Sequence, residues 1–216
     1  MSTASKLALS FVGALKPDRA KSRASAPAIV LPDPQTTGGM PLMDAIARRC
    51  SLREFSPREL PEQVLSNLLW AAFGVSRREA GGRTAPSARD AQEIDIYVAM
   101  AGGLYIYAPH AHALSLVASV DARKVTGFQD FVDTAPVDLV YVADYAHVSR
   151  MSGDSAHEFS AVAAGAICEN VYLYCASAGL STVVRGWFDR DALRKALKLT
   201  PEERVIVAQT VGYPKD

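Results

Sequence analysis

The sequence predicts an α/β or α+β sandwich behind an N-terminal arm, and three observations carry that prediction. Segments with helical apolar spacing alternate with short β-branched runs, the pattern of helices layered on a sheet. Two of those runs, Ile94-Asp95-Ile96-Tyr97-Val98 and residues 104–108, flank Ala101-Gly102-Gly103 and read as a hairpin. Residues 155–178 form one long Ala-rich segment, almost fully apolar from 161 to 176. A helix that apolar on most faces belongs at the centre of a domain.

The elements follow in order. Residues 1–40 read as an arm, helical over 5–15 and extended through the Pro-rich 26–35. Its stretch LALSFVGAL, residues 7–15, has the apolarity of a signal peptide. Lys16, Asp18, Arg19, Lys21 and Arg23 follow it, where a signal peptide stays short and uncharged. The arm is therefore expected to remain and to pack on a partner subunit. The body, 41–216, opens with a short helix over 41–49. A second helix starts at Pro61, where Val64, Leu65, Leu68, Leu69 and Ala72 keep the i, i+3, i+4, i+7 rule until Gly74 stops it. Residues 77–92, with two glycines and a proline, read as a loop. After the hairpin come a strand over 137–142 and the long helix, capped by Gly179. Thr182-Val183-Val184 then reads as a buried strand leading to Gly186. A helix over 189–198, with Asp189 at its N-cap, and a strand over 205–211 complete the body.

Composition removes several function classes. The 216 residues are 49% apolar and 21% charged, an ordinary globular balance that excludes wholesale disorder. Lys+Arg and Asp+Glu number 23 each, and this zero net charge argues against a nucleic-acid partner bound by phosphate neutralisation. No uninterrupted apolar run approaches the roughly 20 residues of a membrane span, so no membrane partner is expected. Cys50, Cys168 and Cys175 form no CxxC, which excludes a disulfide framework and a cysteine-rich zinc site; reduced thiols point to the cytoplasm. The common phosphate-loop, dinucleotide, zincin and hydrolase motifs are absent. His110 and His112 have no carboxylate or third histidine nearby in sequence and read as loop residues, so no metal is expected. Cys168 and Cys175, seven apart, share a helix face as buried, inert thiols.

Three separated segments carry chemistry together. The first is Arg48-Arg49-Cys50-Ser51-Leu52-Arg53-Glu54-Phe55, whose guanidinium forks and hydroxyl suit a phosphate. It lies where a helix ends, so the helix dipole disfavours an anion there and the side chains must do the binding. The second is residues 83–92, where small residues let a flat ring approach and Ser87, Asp90 and Gln92 offer polar groups. The third is residues 178–188, where Gly186 after a strand permits close backbone approach to a ligand.

In this order and spacing the three resemble the nitroreductase family of flavin enzymes, over about residues 39–215. The first segment is similar to the family's RRSxRxF element and the second to its PSxxNxQ element. The third is similar to the region after the family's central helix. Glu169-Asn170 stands where members carry QN, and Val211-Gly212-Tyr213-Pro214 is similar to their GYP ending. Residues 83–88 and the 104–107 hairpin strand lean toward the branch of SagB-like thiazole-forming oxidases.

The resemblance implies an α+β fold: a three-layer sandwich with a central, mostly antiparallel sheet flanked by helices, in an interlocked homodimer with FMN at the interface. Arg49, Cys50, Ser51 and Arg53 would contact the FMN phosphate and ribityl chain. Pro86, Ser87, Ala88, Asp90 and Gln92 of the partner subunit would cover the ring. Val184, Arg185 and Gly186 would lie along it, with a backbone N–H near flavin N5. No acid, base or nucleophile is nominated, because the flavin carries the chemistry. The implied activity is ping-pong transfer of hydride from NAD(P)H, through FMN, to a small-molecule electron acceptor such as a nitro compound or quinone. Two alternatives are an oxidase modifying a peptide or small-molecule biosynthetic intermediate, and a non-catalytic flavin-binding scaffold. Against the first, the thiazole-forming oxidases use a Lys-Tyr pair, and no Lys-Tyr dipeptide occurs here. Cys50 and Asp90 replace residues more usual in the family.

Overall fold

The computed structural model describes residues 27–148 and 153–215. The helix expected over 5–15 lies outside them. In chain order the elements are β1 (Pro27–Val30), α1 (Leu42–Arg48), α2 (Glu62–Phe73), β2 (Val75–Arg77), β3 (Gly82–Arg83), β4 (Ile94–Met100), β5 (Gly103–Ala108), β6 (Ala113–Ala118), β7 (Val137–Asp144), α3 (Gly153–Ala178), β8 (Ser181–Arg185), α4 (Arg190–Ala196) and β9 (Glu203–Gly212). Seven strands build one sheet in the order β1-β6-β5-β4-β7-β9-β8. Each neighbouring pair runs antiparallel, which settles the class as α+β.

The pleat sends alternate side chains to opposite faces, and each face carries its own core. On one face Ile94, Ile96 and Val98 of β4 and Leu139 and Tyr141 of β7 meet Leu65, Leu68 and Leu69 of α2 and Ala164, Ile167 and Val171 of α3. On the other, Tyr97, Leu104, Ile106, Val140 and Val142 meet Phe188, Leu193 of α4 and Leu197. The result is a three-layer sandwich. Leu68, Leu69, Ile167 and Leu193 are 0% exposed, and burying each contributes about 1.5–3 kcal/mol.

The structure departs from the sequence reading in four places. Residues 27–30, read as extended arm, are the edge strand β1, paired with β6. β6 itself escaped notice because Ala113-Leu114-Ser115-Leu116 is short and rich in small residues. The expected loop 77–92 contains the β2–β3 hairpin, held by side-chain bonds from Ser76 Oγ to the Gly82 carbonyl and from Arg77 Nη2 to the Arg83 carbonyl. Finally, Ser155–Ala178 is long and apolar enough to cross a membrane by length and composition. Its Ala163, Ala164, Ile167, Val171 and Cys175 are instead packed on the sheet, where an apolar helix covers a core.

Candidate functional site

The site is built at the outer edge of β8, the last strand of the sheet. Helix α3 ends at Ala178, and Gly179 follows with φ +69°. That left-handed conformation lets the Leu180 N–H bond back to the Cys175 carbonyl (2.9 Å), a Schellman closure that drops the chain straight into β8. As the edge strand, β8 presents alternate backbone groups away from β9. Thr182 C=O accepts the Leu52 N–H (3.0 Å) and the Val184 N–H donates to Tyr172 Oη (3.0 Å). The next outward donor in this alternation is the Gly186 N–H, which has no hydrogen bond among the described residues, and a Cβ on Gly186 would meet open space.

The first segment lies across the first half of this edge. Helix α1 ends at Arg48, and residues 49–54 continue as extended, mostly exposed chain. Ser51 Oγ lies 2.8 Å from Tyr172 Oη, so the tyrosine ties the serine to the β8 backbone. The Arg49 guanidinium stacks over the Tyr172 ring at 5.3 Å and pairs loosely with Glu169 (3.9 Å). Arg48 and Arg53 have no hydrogen bond or ion pair among the described residues. A cleft of about 220 Å³ opens here, lined among others by Arg48, Cys50, Tyr172, Ser181 and Thr182. The Ser181 hydroxyl in its wall is buried and has no hydrogen-bond partner among the described residues. Cys175, also in the wall, is held as a thiol, its pKa pushed far up by burial. Burial likewise pushes Cys168 up to about 12, and both are the inert thiols their spacing predicts.

The second segment does not line that cleft. It is wired to itself: Gln92 N–H donates to Ser87 Oγ (2.9 Å), and Gln92 Nε2 to Asp90 Oδ1 (2.8 Å) and to the Gly81 carbonyl (3.1 Å). Arg83 Nε in turn donates to Gln92 Oε1 (2.9 Å). Arg89, Asp90 and Gln92 have φ of +53°, +52° and +51°. Three non-glycine residues in the left-handed region store backbone strain, which survives only where surrounding contacts over-determine it. Pro86 is exposed at the loop's tip, with Ser87 and Ala88 half-buried beside it.

The third segment splits. Val184 faces the α2–α3 side and packs against that core, while Arg185 is 4% exposed and turns to the opposite face. There it pairs with Asp138 (2.7 Å). The Arg185 side chain is thus turned away from the open edge, and its backbone pairs with Ala208 of β9. Burial lowers the Arg185 pKa and raises that of Asp138 to about 6, Arg185 and the hydroxyls of Thr210 and Thr126 holding the carboxyl down against a larger desolvation effect. His112 is half-buried in the β5–β6 turn and satisfied: Nε2 meets Ser66 Oγ at 2.7 Å and Nδ1 meets Tyr107 Oη at 2.9 Å. Among the described residues no cluster of His, Cys, Asp or Glu could hold a metal.

The model of the nitroreductase family matches residues 46–213, a span that includes all three segments. The chain belongs to the nitroreductase family. With that it joins a family of oxidoreductases. It is 32% identical over 181 residues to a protein of Methanocaldococcus jannaschii provisionally named a nitroreductase, covering 79% of this chain and 90% of that one. A crystal structure of a protein with the same provisional name from Ralstonia eutropha superposes with a TM-score of 0.84 at 48% identity, covering 90% of this chain and 94% of the other. A chain in the E. coli microcin synthetase McbBCD complex shares the fold at 17% identity, with a TM-score of 0.71 over 95% of this chain and 85% of its own.

Ser181 and Thr182 fall within the third segment but, like Tyr172, are not among the site residues read from sequence. A signal existed: Glu169, Tyr172, Ala176 and Gly179 fall at i, i+3, i+7 and i+10, one helical stripe running from the first segment to the cap.

Proposed function

We propose that the protein is an FMN-dependent oxidoreductase of the nitroreductase type, working as a cytoplasmic homodimer and taking reducing equivalents from NAD(P)H to a nitro compound, a quinone or a similar organic acceptor. The observation that carries this reading is the open edge of β8: the arginine-rich first segment and a cleft lined by Arg48 and the buried Ser181 hydroxyl lie at its start, and the Gly186 N–H, with no hydrogen bond among the described residues, lies at its end. These groups fit FMN. Arg49, Arg53 and Ser51 would take the phosphate and ribityl chain by charge-assisted hydrogen bonds, with the exposed Cys50 beside them. The β8 edge from Val184 to Gly186 would carry the ring, with the Gly186 N–H as the fixed donor. When bound, FMN supplies the chemistry, accepting hydride from NAD(P)H at N5 and passing it to the acceptor. Tyr172 holds Ser51 and the Val184 N–H in one hydrogen-bonded line, so the phosphate end and the ring end keep a fixed separation.

Two features support the dimer. A cleft of about 220 Å³ is smaller than the roughly 300–1,000 Å³ of cofactor-sized pockets, so a second wall must come from elsewhere. Leu42, Met43 and Ile46 on α1 and Phe159 and Val162 on α3 are exposed, an apolar set on two packed helices beside the first segment and a natural subunit interface. The partner's second segment would then supply the missing wall. Steady-state kinetics with NADH or NADPH and a quinone or nitroarene test the activity. Parallel double-reciprocal lines are expected. No oxidation of either nucleotide with any acceptor would contradict it and leave a flavin-binding scaffold.

A further inference from the structure

Behind the candidate site, on the far face of the sheet, lies a buried ion pair that the chemistry above does not use. Arg185 is 4% exposed and Asp138 0%. A guanidinium has five N–H donors, and here all five are engaged. Nε donates to Thr210 Oγ1 (2.8 Å), Nη1 to the Thr126 carbonyl (2.8 Å) and Gln129 Oε1 (3.3 Å), and Nη2 to Asp138 Oδ1 (2.7 Å) and Thr126 Oγ1 (3.1 Å). Thr210 Oγ1 donates to Asp138 Oδ1 (2.5 Å). One side chain thus joins β7, β8, β9 and the turn at 126–129.

That turn reaches back to the site. Gly127 packs so closely on Arg185 that a Cβ there would collide with the guanidinium. The next residue, Phe128, donates its N–H to the Trp187 carbonyl (3.2 Å), and the two rings lie 5.5 Å apart. Gly186 is therefore bracketed: the side chain before it is locked by five hydrogen bonds, and the carbonyl after it is held by the turn that the same side chain grips. A strand end carrying a glycine would otherwise be the loosest part of the edge. A buried ion pair is also a poor source of stability, since apolar residues of similar volume commonly serve as well or better. Its geometry is what it offers.

We infer that Arg185, with Asp138, is a positioning pair that fixes the Gly186 N–H at the open edge of β8, where the flavin ring is to be met. The inference rests on the proposed flavin site for its purpose, but the bracket itself does not. The decisive variant is the double substitution Asp138→Leu with Arg185→Met, which removes both charges together and leaves neither ion buried alone. Its thermal midpoint is expected to stay at or above that of the parent, while FMN binds about tenfold more weakly. In a Trp70→Phe background, where Trp187 is the remaining tryptophan, the emission of the apo protein is expected to become more accessible to acrylamide. Should the double variant not fold, Gln129→Leu cuts a single link from a half-buried side chain, and smaller changes in the same two readouts are expected. Unchanged FMN affinity with unchanged Trp187 quenching in a folded variant would overturn the inference. A parent protein that binds no FMN would refute the flavin reading, while the Trp187 readout would still judge the bracket.

Discussion

Two arginine-bearing regions meet at β8 from opposite sides, and they could hardly be more different. In front, Arg48 and Arg53 are exposed and have no hydrogen bond or ion pair among the described residues, and Arg49 is only loosely engaged. Behind, Arg185 is buried and has spent every donor it owns. A saturated guanidinium has nothing left for a ligand, whereas exposed guanidiniums beside a serine and a cleft keep donors to give. Arg185, which holds, is thus set apart from the arginines proposed to bind.

Breaking the front region should abolish function without touching the fold. Arg49→Ala with Arg53→Ala is expected to lose all flavin through gel filtration. Its unfolding free energy in urea should stay within about 0.5 kcal/mol of the parent, as for exposed substitutions. A yellow double variant would end the phosphate assignment. Breaking the back region should do the reverse. Arg185→Met leaves Asp138 buried without its cation and is expected to cost about 3–5 kcal/mol in chemical denaturation. A loss no larger than that of the front variant would erase the contrast.

Acidity sharpens the comparison. The Asp138 carboxyl titrates at about 6 in the fold because burial disfavours its charge, against about 3.9 when unfolded. Between those values the folded chain holds a proton that the unfolded chain has released, so this group's contribution to stability falls as pH rises through the window. Without Arg185 to hold the carboxyl down, the falling slope should extend above pH 6 in Arg185→Met. Urea unfolding at intervals from pH 5 to 8 checks this, and parallel curves for parent and variant would refute it. The smallest effect expected is at the link between the regions. Tyr172→Phe removes the hydroxyl shared by Ser51 and the Val184 N–H, and should cost about 1 kcal/mol, measured by thermal denaturation. No change at all would show that the line through Tyr172 is incidental.

Much of this fold is legible in the residues. The apolar spacing of Val64, Leu65, Leu68 and Leu69 places α2, and the Ala-rich run with Gly179 places α3 and its cap. What escaped was written in weaker terms. β6 has little alternation to show, and the β2–β3 hairpin rests on polar side chains gripping backbone. In the site, Arg49, Ser51 and Gly186 declare themselves by residue type, but Tyr172 does not, since a tyrosine in a core helix is ordinarily core. Arg185 teaches the opposite lesson. Grouped with Val184 and Gly186 it reads as a ring neighbour, yet the two-residue period of a strand sends it to the other face. There Asp138, 47 positions away, is waiting, a partner that local pattern could not reveal.

The exposed arginines of the first segment and the open edge of β8 are proposed to form an FMN site. The most direct test is the absorbance spectrum of the purified protein, with the released ligand identified by mass. Bands in the blue and near-ultraviolet are expected, with stoichiometric FMN released on denaturation. A colourless protein that also fails to bind added FMN would contradict it, leaving a nitroreductase fold without its cofactor.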